Sequence, residues 1–408
     1  MEPTRQKTSA DEYGRGATPV TAPLSTSLNT PEAARSPSLD AFRVVAITCV
    51  MLAHGSLLGI DSFPGLRYVT IIFGVIGVEL FFVLSGFLIG RQLLNVGEGT
   101  QSIPNFWARR WLRTLPNYYL FLIVNWALYV YGLKRPAGEF SLLVFSHNLV
   151  TPFNTAFFAE SWSLAVEEWF YLIAPLPVFL LTLVFSKSQK FAVLGAMIAI
   201  IITCTFARLG VAQIINSSID SALRKIVVLR LDALAFGVLL AWLQRYRAPT
   251  LAALARGWWR VLGIVLLLAA IAYLATLTEA LAFFAAPTDR DRWLAPLLFT
   301  LLPISCALLL AGAQAVPMQG QVWISLQSKW AYSTYLLHFP LLLLILHFWT
   351  EPKSATSVAL ALGGWYLATL AGAAIIYRGF EKPLMDLRMR FAPVKTEYAE
   401  PARYSTKL

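Results

Sequence analysis

Repeated runs of roughly 20 apolar residues constrain this chain more than any other feature of its sequence. A helix needs about 20 such residues to cross the hydrocarbon core of a bilayer, which is about 30 Å thick. Inside lipid the chain must satisfy its own backbone hydrogen bonds, so runs of this length form helices. With 57% hydrophobic and only 13% charged residues, the sequence predicts an all-α membrane protein rather than two or three soluble domains.

We predict a bundle of about ten transmembrane helices within residues 39–385. A tail rich in Ser, Thr and Pro precedes it at 1–38, where we expect a disordered segment. The first apolar run lacks the short core and cleavage site of a signal peptide, so we expect it to remain as a membrane helix. A second tail follows at 386–408. The predicted helices are 39–58, 70–94, 116–132, 161–185, 190–208, 225–244, 260–278, 294–313, 330–349 and 357–378.

The distribution of basic residues predicts the orientation of this bundle. The chain carries a net charge of +11, and Lys and Arg of membrane proteins collect in cytoplasmic loops. With the amino terminus inside, the inner segments hold 21 Lys and Arg and the outer loops hold eight. We therefore expect both termini in the cytoplasm, the bundle in the inner or plasma membrane, membrane lipids around it, and no nucleic-acid partner.

Ionisable residues inside the predicted helices are the candidate functional residues, because a charge at the bilayer centre costs at least about 2.5 kcal/mol. They could form an ion pathway, a structural ion-pair network or a reaction centre. Counting about 1.5 Å per residue along alternating helices places several of them at similar depths. The sequence thus predicts one polar chamber that opens outward, with Arg43 nearer its cytoplasmic mouth. Its expected members are His54, Glu79, Glu167, Asp232 and His338.

His54 is the expected centre of that chamber. It lies about 16 Å along the first helix from Arg43 and only about 20° around it, so the two side chains share a face. A histidine beside a carboxylate can deprotonate a hydroxyl, because the acid fixes the tautomer and stabilises the imidazolium. This arrangement favours group transfer, with His54, Glu167 and Glu79 as the catalytic candidates. The alternative for His54 is a packing role.

Two acidic candidates have a structural alternative. An ion pair with Arg208 or Arg230 would account for Glu79 and Asp232 without any chemistry. The adjacent carboxylates at 167 and 168 cannot both face the chamber easily, because consecutive helical residues point about 100° apart. We expect Glu167 to face the chamber and its neighbour to meet an interface or a partner.

A basic cluster in FWARRWLRTLPNYY differs from these buried groups. Arg109, Arg110 and Arg113 are expected at the inner surface. Arg110 and Arg113 lie about one helical turn apart and could clamp phosphate groups. Membrane topology and contacts with lipid headgroups are the alternative explanation for these charges.

Seven motifs in this order resemble the integral-membrane acyltransferase 3 family, from residue 39 to about 385. The family implies a ten-helix bundle, in agreement with the hydropathy count. It also implies an O-acyltransferase that takes an acyl group, commonly from acetyl-CoA on the cytoplasmic side, and delivers it to a carbohydrate at the outer side. The motifs are LDAFRVVAITCVMLAH, GVELFFVLSGFLI, RWLR before a proline, WSLAVEEWFYL, VLRLDALAFG, YSTYLLHFPL and FEKPL.

The resemblance also implies roles for individual residues. His54 looks like the essential histidine and Arg43 its partner, while Arg110 and Arg113 match the basic pair implicated with the donor. We expect acyl-CoA as a co-substrate, no bound cofactor and no metal; the cysteines show no metal or redox spacing. Motif positions of less certain role are Ser85, Glu167, Arg230, Asp232, Ser333, His338 and Glu381.

The predicted function is thus transfer of an acyl group, most simply acetyl, to a hydroxyl of an extracytoplasmic carbohydrate or glycoconjugate, with His54 as general base. A covalent acyl-histidine intermediate is the mechanistic alternative. Some family members carry a further extracytoplasmic domain, which we do not expect because the chain ends about 30 residues after the tenth helix. The alternatives are a proton-coupled transporter or exporter, and an acyltransferase for a lipid or a secreted metabolite. The sequence does not identify the acceptor.

Overall fold

The computed structural model describes residues 36–136, 138–152, 157–184, 189–279, 282–316, 318–349 and 354–391. Most of the predicted tail at 1–38 lies outside these residues, as does the carboxyl-terminal tail beyond residue 391. The described part of the chain is helical and contains no β-strand. The all-α class predicted from the apolar runs is therefore confirmed.

Thirteen α-helices follow one another along the described residues. Short 3₁₀ or π-helical turns extend or connect several of them, including Ser56–Leu58, Asp220–Arg224 and Tyr377–Glu381. The helices are α1 Pro37–Gly55, α2 Leu66–Gly97, α3 Ile103–Ala127, α4 Ser161–Ile173, α5 Pro175–Val184, α6 Gln189–Ile214, α7 Leu231–Tyr246, α8 Ala248–Leu254, α9 Trp258–Glu279, α10 Asp289–Gln314, α11 Val322–Phe348, α12 Ala355–Ile376 and α13 Lys382–Phe391.

Eight helical segments of the described residues are long and apolar enough to cross a membrane. The predicted count of about ten requires α3 and α7 as well. α7 has only 16 residues, and α3 carries arginine and asparagine side chains along its length. The eight segments are Pro37–Leu58, Leu66–Gly97, Ser161–Val184, Lys190–Ile214, Trp258–Glu279, Asp289–Gln314, Val322–Phe348 and Ala355–Leu387.

Two helices differ from the prediction in ways that affect the site. α3 begins at Ile103 rather than at residue 116, so the basic cluster lies inside a helix and not in a surface segment before it. The prediction missed the first part of α3 because it assigned helices only to apolar runs, and arginines that face the interior of a bundle interrupt such a run. The predicted helix 161–185 is interrupted at Ala174, where α4 ends before Pro175, because proline has no N–H to donate to the carbonyl four residues earlier.

α2 packs along both α1 and α7, and two glycines allow its close approach to α7. A Cβ on Gly86 would lie 2.0 Å from the carbonyl oxygen of Leu234, and a Cβ on Gly237 would lie 2.1 Å from that of Val83. Both neighbours are backbone atoms, which a rotamer change cannot move. Small residues serve this purpose in membrane bundles, where helices associate through close packing.

This contact leads to a prediction about stability. Gly86→Ala or Gly237→Ala should lower the free energy of unfolding by about 1–3 kcal/mol or more, because the new methyl group forces the two backbones apart. Thermal unfolding in detergent, followed by size-exclusion chromatography, measures the change. Gly210→Ala in α6 is the matched control, since nothing lies within 4 Å of the added Cβ. Equal midpoints for all three variants would contradict the assignment.

Candidate active site

A cavity of about 120 Å³ lies among α1, α2, α3, α4 and α11. We call it the basic cavity, because four cationic side chains line it against two carboxyl groups. An excess of positive charge in a low-dielectric cleft attracts anionic ligands. The charged lining residues are Arg43, Arg110, Arg113, Lys329, Glu167 and Glu381.

The basic cavity extends along the bundle and becomes aromatic towards one end. On α2 its lining runs from Leu88 to Val78, a rise of about 15 Å. Phe81 and Tyr335 line it near the Val78 end, with ring centroids 6.2 Å apart. The cavity thus combines a charged region with an apolar passage.

Arg43 is fixed at the start of α1. Its Nη1 donates to Ser328 Oγ at 2.6 Å and to Asp40 Oδ1 at 3.2 Å. Ser328 Oγ also donates to Asp40 Oδ1 at 2.7 Å, so the three side chains join α1 to α11. About 16 Å of helix separates Arg43 from His54, and the shared face predicted for them does not bring their side chains into contact.

Glu167 belongs to the wall of the basic cavity. Tyr171 donates its hydroxyl to Glu167 Oε2 at 2.7 Å, and Ser85 Oγ lies 2.6 Å from the same hydroxyl. The guanidinium of Arg110 lies 5.3 Å from the ring centroid of Tyr171. Glu167 is half-buried, whereas Glu168 is buried and is absent from the residues that line the cavity. Of the adjacent pair, Glu167 is therefore the carboxylate that faces the basic cavity.

Glu381 reaches the cavity from the end of the π-helical turn Tyr377–Glu381. Ser333 Oγ donates to Glu381 Oε2 at 2.5 Å, and Asn117 Nδ2 donates to the same oxygen at 3.0 Å. These bonds join α3, α11 and the last membrane-crossing segment. The motif positions Ser333 and Glu381 are therefore in direct contact, although 48 residues separate them.

His54 is paired with a second histidine. Its Nδ1 lies 2.8 Å from His338 Nε2, and the ring of Phe339 packs against it with centroids 5.1 Å apart. His54 is half-buried, whereas His338 is 0% exposed. Among the described residues His338 is the hydrogen-bond partner of His54, and the expectation of a carboxylate beside this imidazole is wrong.

The histidine pair lies just beyond the aromatic end of the basic cavity. Tyr335 lines the cavity, and its ring centroid is 5.6 Å from that of His338. His338 follows Tyr335 by one helical turn, about 4.5 Å along α11. His54 itself is not among the lining residues. One layer of side chains therefore separates the cavity from the pair.

Glu79 and Asp232 form buried ion pairs with arginines. Arg230 Nη2 donates to Glu79 Oε1, and Arg208 donates to both oxygens of Asp232 at 2.9 and 2.5 Å. All four side chains are at most 1% exposed. The structure therefore contains the ion pairs that were the alternative to a catalytic role for Glu79 and Asp232.

The single outward-opening chamber predicted from depths is therefore wrong. Its expected members divide into the basic cavity, the histidine pair and the two ion pairs. Counting residues gives the height of a side chain in the bundle, but the rotation of each helix about its axis decides which neighbour it meets. Glu79 and Asp232 lie at suitable heights and face arginines instead of His54.

Several functional candidates escaped the sequence prediction. Lys329, one of the 21 basic residues of the predicted inner segments, lines the basic cavity with Tyr171 and Tyr335. The two tyrosines lie inside the motifs WSLAVEEWFYL and YSTYLLHFPL. His147, in the segment before α4, hydrogen bonds with Ser161 Oγ at 3.2 Å. Burial lowers the pKa of His147 to about 4, so it is neutral near pH 7.

Comparison with known proteins identifies the family. The family model for the acyltransferase 3 group, described as an acyltransferase domain, matches residues 36–378. The chain therefore belongs to the acyltransferase 3 family, as its motifs predicted. Together with the eight apolar segments, membership defines it as a multi-pass membrane protein. No solved structure matches the chain.

Two relatives illustrate the range of similarity. The peptidoglycan O-acetyltransferase OatA of Listeria monocytogenes is 33% identical in an alignment of 156 residues, and the match covers 34% of this chain and 23% of the relative. The O-acetyltransferase OatA of Staphylococcus aureus is 24% identical in an alignment of 372 residues, and that match covers 85% of this chain and 57% of the relative. The chain thus spans from about a quarter to just over half the length of these relatives.

The ion pairs generate a prediction about stability. Glu79→Leu should lower the free energy of unfolding by about 3–5 kcal/mol, because it leaves the buried charge of Arg230 without compensation. The double variant Glu79→Leu/Arg230→Met should recover most of that loss. Thermal unfolding of the single and double variants measures the coupling.

Lys382→Met, which breaks the exposed pair with Asp386, is the control and should change the free energy of unfolding by about 1 kcal/mol or less. Strictly additive losses in the Glu79 and Arg230 variants would show that the two side chains do not depend on each other.

Proposed function

We propose that this protein is a membrane O-acyltransferase that transfers an acetyl group from acetyl-CoA in the cytoplasm to a hydroxyl group of an extracytoplasmic glycan. The observation that carries the proposal is the basic cavity, which ends one side-chain layer from the histidine pair. Family membership supports the reaction type. The names of the two relatives support acetyl as the acyl group, and that of the Listeria protein supports peptidoglycan as the acceptor class.

The donor fits the basic cavity by charge. Coenzyme A carries phosphate groups, which arginines bind bidentately and lysine binds as a point charge. We place these phosphates against Arg110, Arg113 and Lys329, with Arg43 further along the path. The end that holds these residues would face the cytoplasm, as the distribution of basic residues predicts.

The rest of the donor would follow the aromatic passage. Its pantetheine arm carries amide N–H groups, for which the carboxylates of Glu167 and Glu381 are suitable acceptors. We assign Glu167 to donor binding, because it accepts hydrogen bonds from Tyr171 and Ser85 and none from His54. To reach the histidine pair, the thioester must pass Tyr335. We therefore place the boundary between the donor-binding region and the reaction site at the Tyr335 side chain.

The chemistry is a general-base acyl transfer. His54 Nε2 takes the proton of the acceptor hydroxyl, and the oxygen forms a bond to the thioester carbonyl carbon. The carbon–sulfur bond then breaks, and the protonated imidazole returns its proton to the thiolate leaving group. In the covalent variant, His54 Nε2 attacks the thioester carbonyl carbon, and the carbon–sulfur bond breaks to release the thiolate. The acceptor oxygen then attacks the acyl-imidazole, the carbon–nitrogen bond breaks, and the hydroxyl proton passes to the thiolate.

His54→Ala should lower acetyl transfer at least 100-fold, because general acid–base catalysis contributes about 10²–10⁴-fold. Membrane preparations with labelled acetyl-CoA and a peptidoglycan acceptor, followed by mass spectrometry of the glycan, measure the product. Protein levels in the membrane should stay normal. Near-normal turnover by His54→Ala would remove the assigned base, and unlabelled glycan with the wild-type protein would favour the transporter alternative.

Arg110→Ala and Arg113→Ala should each raise the KM for acetyl-CoA roughly tenfold with little change in kcat, since an electrostatic anchor holds the donor equally in the ground and transition states. Steady-state kinetics with varied donor measure this. Arg109→Ala is the matched control, because Arg109 belongs to the same cluster but does not line the basic cavity. An equal effect of Arg109→Ala, or a change in acceptor KM alone, would contradict the donor assignment.

A further inference from the structure

We infer that His338 is a positioning residue that holds the ring of His54 and keeps its proton on Nδ1, so that His54 Nε2 is the basic nitrogen. The inference rests on the proposed function, in which His54 removes the proton of the acceptor. It assigns to a second histidine the role that a carboxylate performs in many acyl-transfer sites. Three observations carry it: the direction of the hydrogen bonds, the fixed position of His338 and the surroundings of His54.

The direction of the hydrogen bonds follows from the backbone. His338 Nδ1 lies 2.5 Å from the carbonyl oxygen of Tyr335, and a carbonyl oxygen can only accept. His338 Nδ1 therefore carries a proton, and in the neutral ring Nε2 is the acceptor. Since that Nε2 is 2.8 Å from His54 Nδ1, His54 must donate from Nδ1. Its Nε2 then holds the lone pair.

His338 is held firmly enough to orient another side chain. It is 0% exposed, and its own carbonyl oxygen accepts a hydrogen bond from Trp365 Nε1 at 3.0 Å. The ring centroids of Trp365 and His338 are 6.3 Å apart. The second histidine is thus fixed on α11 by its backbone contact with Tyr335 and by a tryptophan of α12.

The last residue of α1 packs against the same tryptophan. A Cβ on Gly55 would lie 2.7 Å from Trp365 Cζ3 and 2.5 Å from Leu362 Cδ1. Glycine at this position lets α1 approach α12 directly after His54. The backbone of α1 can therefore bring His54 within hydrogen-bond reach of His338.

The arrangement also accounts for the charge that forms during the reaction. When His54 Nε2 gains the acceptor proton, Nδ1 still donates to His338 Nε2, and this charge-assisted hydrogen bond is stronger than the neutral one. The Nδ1 proton can move to His338 Nε2, after which His338 donates from both nitrogens, to Tyr335 and to His54. The positive charge is shared by two rings. The Nε2 proton of His54 remains available for the thiolate.

The experiment compares variants of His338 with different hydrogen-bonding capacity. His338→Leu removes the acceptor and should lower kcat roughly 10- to 100-fold, by analogy with the loss of hydrogen-bond partners that orient metal-binding histidines, with the KM for acetyl-CoA unchanged. His338→Gln supplies a carbonyl oxygen that can accept from His54 Nδ1, so it should retain clearly more activity than the leucine variant. His347→Leu, the same change at an exposed histidine of α11, should match the wild type.

A merely structural role would not distinguish glutamine from leucine in this way. Wild-type kcat for His338→Leu, or equal losses for leucine and glutamine, would overturn the inference. His54→Ala is measured alongside: if it stays active, the proposed base itself fails, whereas an inactive His54→Ala with an active His338→Leu refutes only the role of His338.

The tautomer can be measured without altering His338. ¹⁵N NMR of histidine-labelled wild-type protein in lipid separates protonated from unprotonated ring nitrogens, and loss of a signal in His54→Asn assigns it. We expect a protonated Nδ1 and an unprotonated Nε2 for His54. The opposite tautomer in the wild-type protein would overturn the inference, including in the case where His338→Leu fails to fold.

Discussion

The cost of placing charge inside a bilayer determines how the rest of this structure is arranged. Each buried carboxylate among the ion pairs has an arginine against it, Glu79 with Arg230 and Asp232 with Arg208. Breaking such a pair leaves an uncompensated charge, which costs far more than the pair gains. The pairs join α2, α6 and α7, and the glycines at the α2–α7 contact allow the backbone approach that places them.

The same cost explains why two neutral rings suit the proposed reaction site. A carboxylate beside His54 would need its own compensation in an apolar bundle. Nε2 of His338 instead accepts a hydrogen bond from His54 Nδ1 while both rings are uncharged. Nδ1 of His338 donates to the backbone carbonyl oxygen of Tyr335. Charge then appears only during the proposed proton transfer. The basic cavity holds an excess of positive charge, which a phosphorylated ligand can neutralise.

The basic cavity and the histidine pair lie at different positions along the bundle. Arg110, Arg113 and Lys329 lie in the charged part of the basic cavity, and Tyr335 stands between its aromatic end and the histidine pair. In the proposed reaction the donor and the acceptor therefore meet from opposite ends of one bundle. In the proposed reaction, charged side chains bind the donor at a distance from the acyl transfer, which takes place among uncharged rings.

The sequence by itself determined the helical class, the family and most members of the site, because apolar length and motif order are local properties of a chain. It also identified His54, His338, Glu167 and Arg110 as candidates. Only the tertiary structure decided which of them meet: His54 with His338, Glu167 with Tyr171, and Glu79 with Arg230. Residue counts fix the height of a side chain along its helix, whereas the rotation of that helix, set by packing against its neighbours, fixes its partner.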